Sequence, residues 1–168
     1  MKKIVETERL LVEEAVISDA TFFYKLLNSP NWIEFIGDRG IRTIEQATEY
    51  IESSLISSYQ KNGYGLFKMC LKESSIPIGI CGFLKRDYLE HPDLGFAILP
   101  EYEGKGYTSE ACEALLHYGK DILKLESILA ITSHENTKSQ RLLKKSGLSE
   151  IGTVKPTGSE EELLLFSN

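Results

Sequence analysis

The stretch Ile98-Leu99-Pro100-Glu101-Tyr102-Glu103-Gly104-Lys105-Gly106-Tyr107-Thr108-Ser109-Glu110-Ala111 decides how this chain is read. The apolar run Leu94 to Leu99 reads as a strand stopped by Pro100, and two glycines follow. From Ser109 an amphipathic pattern with Ala111, Leu115, Tyr118 and Ile122 at helical spacing predicts a helix. A strand, a Gly-x-Gly turn and a helix N-terminus in that order can hold a phosphate. Glycines adopt positive φ and let a ligand approach the backbone, so successive N–H groups can converge on one anion. The helix behind them adds unpaired N–H groups and a partial positive charge. The competing reading is an ordinary glycine-rich turn between a strand and a helix. Two other glycine loops do not fit: no stretch has Walker spacing, and a dinucleotide fingerprint would need a third glycine where Ser109 stands.

Working outward, 168 residues predict one domain over 1–168, large enough to bury about two-thirds of its unfolded surface. Apolar residues at 42% and charged residues at 26% are ordinary for a soluble globular protein. No signal peptide and no apolar run of membrane-spanning length is visible, so no membrane partner is expected. Cys70, Cys81 and Cys112 are odd in number and lack CxxC spacing; free, buried thiols in a reducing cytoplasm are the expectation. The net charge of −6 argues against a nucleic-acid partner. No Cys/His/Asp cluster has metal-ligand spacing, so no metal is expected.

Residues 3–14 read as a first strand, and Ser18 as the N-cap of a helix with Ala20, Phe23, Tyr24 and Leu27 on one stripe. The aromatic, glycine-containing segment 31–42 reads as a loop. Thr43 and Gln46 form a capping-box pair before a helix that buries Ile44, Ala47, Ile51, Leu55 and Tyr59. Residues 64–71 and 76–84 form a hairpin, in which Gly79 and Gly82 suggest bulges or close backbone approach. Another buried strand follows at 127–132, then a short helix from Asn136 to Gly147, and two last strands near 148–154 and 162–166. Strands and helices alternate only in the second half, which predicts a mixed α/β sheet.

The second informative stretch is Asn136-Thr137-Lys138-Ser139-Gln140-Arg141-Leu142-Leu143-Lys144-Lys145-Ser146-Gly147-Leu148. Asn136 and Ser139 offer polar groups at a helix start, and Lys138, Arg141 and Lys145 make one helix face cationic in an acidic protein. A solvated face with an N-cap is the plain alternative. Together these residues resemble the GNAT superfamily of acyl-CoA-dependent N-acetyltransferases, in its branch similar to the ribosomal-protein N-terminal acetyltransferases. The resemblance runs from Glu6-Thr7-Glu8-Arg9-Leu10-Leu11 through Asp93-Leu94-Gly95-Phe96 and the glycine turn to the Asn136…Ser139…Arg141 helix. One departure is Glu101, where the superfamily usually places Gln or Arg.

The resemblance implies a central, mostly antiparallel twisted sheet of about seven strands with about four helices on both faces. It implies acetyl-CoA as cosubstrate, with cofactor contacts at Phe96, Ile98, Leu99, Gly104, Lys105, Gly106, Tyr107, Thr108, Ser109, Asn136, Ser139 and Arg141. A primary amine, on a protein N-terminus or a small molecule, would attack the thioester directly, with the oxyanion held by a backbone N–H near 96–98. Asp93 is the candidate base, Glu90 and His91 its alternatives, and Ser139 the candidate acid. The segments 31–42 and 86–92 are candidate walls of the acceptor site, with Trp32, Asp38 and Glu90 as candidate substrate contacts. The acids Glu34, Asp38, Asp87 and Glu90 there suit a cationic amine. A non-catalytic acyl-CoA sensor of the same fold, or a nucleotide-binding domain, remains an alternative, and the chain is expected to be a monomer or homodimer.

Overall fold

The computed structural model describes residues 1–168. Eight strands make one sheet: β1 (Lys3–Glu6), β2 (Leu10–Glu13), β3 (Leu66–Leu71), β4 (Pro77–Leu84), β5 (Asp93–Ile98), β6 (Leu129–Thr132), β7 (Ser149–Val154) and β8 (Leu163–Ser167). Their spatial order is β1-β2-β3-β4-β5-β6-β8-β7, and every pair is antiparallel except β5 with β6. Five helical rods cover the sheet. They are α1 (Ala20–Leu27), α2 (Pro30–Phe35), a rod in which α3 (Ile44–Tyr50) runs through a π-helical turn (Ile51–Ile56) into α4 (Ser57–Asn62), then α5 (Tyr107–Asp121) and α6 (Thr137–Lys145).

Each face of the sheet has its own core. Phe67, Met69, Ile78, Cys81 and Phe83 pack against Ala111, Cys112 and Leu115 of α5 and Leu143 of α6. Leu66, Ile80 and Leu99 pack on the other face against Phe23, Leu26, Leu27, Ala47, Ile51 and Leu55. This double burial is why β3 and β4 read as continuous apolar runs rather than alternating ones. It also fixes the two glycines of β4: a Cβ on Gly79 would lie 2.4 Å from the Ala97 carbonyl oxygen, and one on Gly82 2.1 Å from that of Gly65. All three cysteines are free and buried, and burial pushes the Cys70 thiol up to about 11.

Several local expectations are corrected. Residues 3–14 are not one strand but a hairpin, because Thr7 Oγ1 accepts from Leu10 N–H at 2.9 Å and turns the chain; this supplies the eighth strand. Part of the 31–42 segment is helical, since Pro30 opens α2 at its first turn. Ser18 does not cap α1. Asp19 stands there, its carboxylate taken by Val16 N–H and by the buried Lys68. Thr43 does accept from Gln46 N–H, but Gln46 reaches back one residue further, to Arg42 N–H. Helix α5 begins at Tyr107 rather than Ser109, and Ile122 lies past its end, 67% exposed. Tyr24 and Ile44 are likewise exposed rather than on buried stripes.

Candidate active site

Strands β5 and β6 are parallel and meet only at Asp93 and Leu129, where Leu129 N–H donates to the Pro92 carbonyl at 2.9 Å. Beyond that point they part. On its other side β5 stays paired with β4 as far as Leu99, whose N–H bonds the Ile78 carbonyl at 2.8 Å. Antiparallel pairing alternates, so Gly95 and Ala97 turn their backbone groups to β4, while Phe96 and Ile98, past the last contact with β6, turn theirs to the gap. A cleft of about 1010 Å³ fills that gap and runs on to the glycine turn and the start of α6.

At one end of the cleft Gly104 has φ +73° and Gly106 φ +80°. Gly106 is the N-cap of α5 and no side chain caps it, so the N–H groups of Tyr107, Thr108 and Ser109 are left to the cleft they line. The turn is clamped from behind. Arg9 Nη1 donates to the Lys105 carbonyl at 2.9 Å, Arg9 Nε to Glu110 at 2.7 Å, and the guanidinium lies over the Tyr107 ring at 4.6 Å. Glu110 also accepts from Thr7 Oγ1 and Arg9 N–H. Burial acts to raise the Glu110 pKa, but these hydrogen bonds outweigh it and hold the carboxyl below its ordinary value. Of the cofactor contacts expected here, Leu99 is buried away from the cleft and Lys105 points instead over the Tyr102 ring at 5.7 Å.

The facing wall comes from α6. Asn136 Oδ1 accepts from Ser139 N–H at 3.1 Å, and Gln140 Nε2 bonds the carbonyls of Ser133 and His134, both at 3.0 Å, fixing the turn from β6 into the helix. Asn136, Lys138 and Ser139 line the cleft; Arg141 is exposed outside it. Lys138 Nζ lies 3.7 Å from Glu103 of the glycine turn, and Glu103 also accepts from Asn31 at the start of α2.

At the other end Asp93 opens β5, 1% exposed at the cleft floor. Arg86 Nε donates to its Oδ1 at 3.0 Å and its Oδ2 at 3.1 Å. Burial pushes the Asp93 pKa up, and the Arg86 charge works against that rise. Trp32 is buried in the wall with no partner for Nε1. Two expected wall residues lie elsewhere. Asp38 is tied to Arg42 and to Gly40 N–H, which closes a surface turn, and Glu90 is exposed outside the cleft lining. His91 is also outside it.

A parted parallel pair, a glycine turn at a helix start and a capped second helix stand around one cleft. Residues 9–149 match the model of the Acetyltransferase (GNAT) domain. The chain belongs to the GNAT acetyltransferase family. This GNAT enzyme is 31% identical over 160 residues to the uncharacterized N-acetyltransferase YnaD of Bacillus subtilis (strain 168), covering 93% of this chain and 90% of that one. It superposes with a TM-score of 0.80 on a GNAT-family acetyltransferase from Bacillus anthracis, at 25% identity over 98% of this chain and 96% of the other. RimL, a ribosomal L7/L12 α-N-protein acetyltransferase in complex with coenzyme A, shares the fold with a TM-score of 0.85 at 14% identity, over 99% and 97% of the chains. Membership makes the enzyme an N-acetyltransferase acting on an amine. None of its helices is long and apolar enough to cross a membrane.

Sequence reasoning missed Arg9 and Glu110 as a clamp and Gln140 as the brace of the β6–α6 turn; Arg39, Arg86 and Tyr88 do line the cleft, within the wall segments 31–42 and 86–92 expected from the sequence. Arg9 and Glu110 are 101 positions apart, and only the packing of the β1–β2 turn on α5 joins them.

Proposed function

We propose that residues 1–168 form one domain that works in the cytoplasm and transfers the acetyl group of acetyl-CoA to a primary amine, by direct attack in a ternary complex. The observation that carries this reading is the parting of β5 from β6, which turns the backbone of Phe96 and Ile98 to a cleft ending on the uncapped start of α5. Acetyl-CoA fits that arrangement. The Gly104–Ser109 turn has room for a pyrophosphate, since a Cβ on Gly104 would meet nothing within 4 Å. The parted strand offers hydrogen bonds to an amide-bearing arm. When bound, acetyl-CoA supplies an acyl group already activated as a thioester.

Residues of the chain then have three tasks. A β5 N–H near Phe96–Ile98 stabilises the charge that develops on the acetyl oxygen, an effect worth about 3 kcal/mol in comparable sites. Asp93 takes the amine proton through water, its raised pKa supporting a basic role. Ser139, whose hydroxyl is free of intramolecular bonds, gives a proton or hydrogen bond to the departing thiolate. The ammonium first gives one proton through water to Asp93. The nitrogen–carbon bond then forms, the carbon–sulfur bond breaks, and the second nitrogen proton is lost as the departing thiolate gains one.

The test is incubation with acetyl-CoA and a panel of small amines and N-terminal peptides, following release of free thiol. Turnover on an amine is the expected result. Tight CoA binding in calorimetry without turnover on any acceptor would instead make the chain an acyl-CoA-binding module.

A further inference from the structure

The acceptor end of the cleft holds more positive charge than the acetyl-transfer chemistry uses. Arg86 grips Asp93 through Nε alone, and its side chain is 31% exposed on the cleft. The Tyr88 hydroxyl takes a side-chain hydrogen bond from Arg86, which still leaves the five-donor guanidinium with N–H groups for a ligand. Arg39 lines the same cleft without any hydrogen bond or ion pair. Two guanidinium groups are therefore presented to the cleft with donors to spare, and one is held in place by a buried carboxylate. A planar guanidinium so held is suited to binding a carboxylate or phosphate through two parallel hydrogen bonds. The acids Glu34 and Glu161 line the same cleft, with no basic partner, and suit an ammonium. Positive and negative groups lining one cleft match a zwitterion better than a simple polyamine.

We infer that the acceptor is a small amine bearing a carboxylate or phosphate within about four bonds of its nitrogen, and that Arg86 binds that anion, an inference that rests on the acetyl-transfer reading above. The spacing follows from Arg86 itself. The Nε that grips Asp93 and the terminal nitrogens left for the ligand belong to one guanidinium. An anion on those nitrogens therefore lies within about 8 Å of the carboxylate that draws the amine proton. An amino-acid-like compound spans that gap, whereas a long polyamine places no anion there. The half-exposed Phe35 and Ile36 at the cleft mouth, with Trp32 behind, add an apolar wall for a side chain.

The test compares matched acceptors: L-phenylalanine with phenethylamine, and O-phosphoethanolamine with ethanolamine. The wild-type enzyme should prefer the anionic member of at least one pair in kcat/KM. Which pair responds tells carboxylate from phosphate. In Arg86→Gln that preference should fall by about 10-fold or more, and Arg86→Lys, which keeps the charge but loses the fork, should recover part of it. A loss common to both members reports on Asp93, whose partner has been removed; the ratio reports on Arg86. Circular dichroism confirms that each variant is folded. A ratio unchanged in both variants, or a wild-type preference for the neutral amines, overturns the anion site and leaves acetyl transfer standing. No transfer to any of the four overturns it too, and transfer to the peptides or other amines of the wider panel then decides whether the enzymatic reading survives.

Discussion

The two ends of the cleft offer a ligand different material. At the α5 end the donors are main-chain N–H groups of Tyr107 to Ser109 and of β5, set by two glycines at positive φ and by strand alternation. At the Asp93 end they are side chains brought together from separate places: Trp32 from α2, Arg39 from the loop after it, Arg86 and Tyr88 from the β4–β5 loop. A backbone-built site tolerates many side-chain changes, provided that the local conformation and its support survive. A side-chain-built site can lose its chemistry to a single atom. Substitutions at each end should therefore fail in different ways.

The sharpest contrast comes from Asp93→Asn, which keeps shape and removes basicity. The acetyl-transfer rate at neutral pH should fall by roughly 10²–10⁴-fold, the usual range for a positioned base, with CoA affinity barely changed. The sign with pH is fixed by the direction of the Asp93 shift. Burial raises its pKa, so the wild-type rate should begin to fall on acidification at a pH above the ordinary aspartate range. The deficit of the variant should shrink as pH rises toward the amine's own pKa, where solution supplies the free amine. A fully active variant with an unaltered pH–rate profile removes Asp93 from the proton path.

Gly106→Val attacks the other end through conformation. At φ +80° a side chain costs about 1–2 kcal/mol, more for a β-branched one, and its Cβ would sit 3.3 Å from Arg9 Nη2. With the N–H groups also screened, CoA affinity should drop by about 100-fold, or about 2.7 kcal/mol, while the domain still folds. Calorimetry on the folded variant measures it; unchanged affinity would put the phosphates somewhere else.

A smaller effect should come from the clamp, which touches no cofactor in this reading. Arg9→Ala removes the bond to the Lys105 carbonyl and the stacking on Tyr107, so the turn loosens and CoA should bind about 10-fold more weakly. Glu110→Ala should do the same. Since both act through one network, the double variant should lose little more than either alone. Additive losses would mean that the two residues act separately.

How much was legible follows the same division. The glycine turn, the strand before it, the Asn136 cap and the doubly covered hairpin could be read because each depends on residues close in sequence: a φ only glycine accepts, a 3.6-residue period, a side chain three positions from its N–H. The Asp93–Arg86 pair spans seven residues, yet its meaning depends on burial at the sheet end, which no local pattern carries. Asp38 and Glu90 looked suitable because acids suit amines. Asp38 is occupied by Arg42 four residues on, an arrangement the sequence permits without requiring. The hairpin inside 3–14 was missed for a similar reason: the turn is closed between Thr7 and Leu10, by main chain and by the Thr7 side chain, between apolar runs that read equally well as one strand.

The smallest expected effect tests whether the two ends are independent. Glu103 precedes the glycine turn, and its carboxylate stands between Asn31 of the acceptor wall and Lys138 of α6, 30% exposed. An acid beside a pyrophosphate site should repel the ligand and also hold Lys138, a cation the ligand could otherwise use. On that argument Glu103→Gln, which keeps the shape, should tighten CoA binding by about 3-fold at low salt. The gain should fade at about 1 M salt, where the Debye length falls to about 3 Å. The opposite outcome has a specific meaning. If Glu103→Gln weakens CoA, the carboxylate serves to fix Lys138 and α2 in position, and its ordering of the cleft outweighs its charge. In that case the variant should also raise KM for the acceptor, because Asn31 loses its charged partner at the opposite wall. Tightened CoA with an unchanged acceptor KM would instead show that the two ends, though joined through one side chain, are tuned separately.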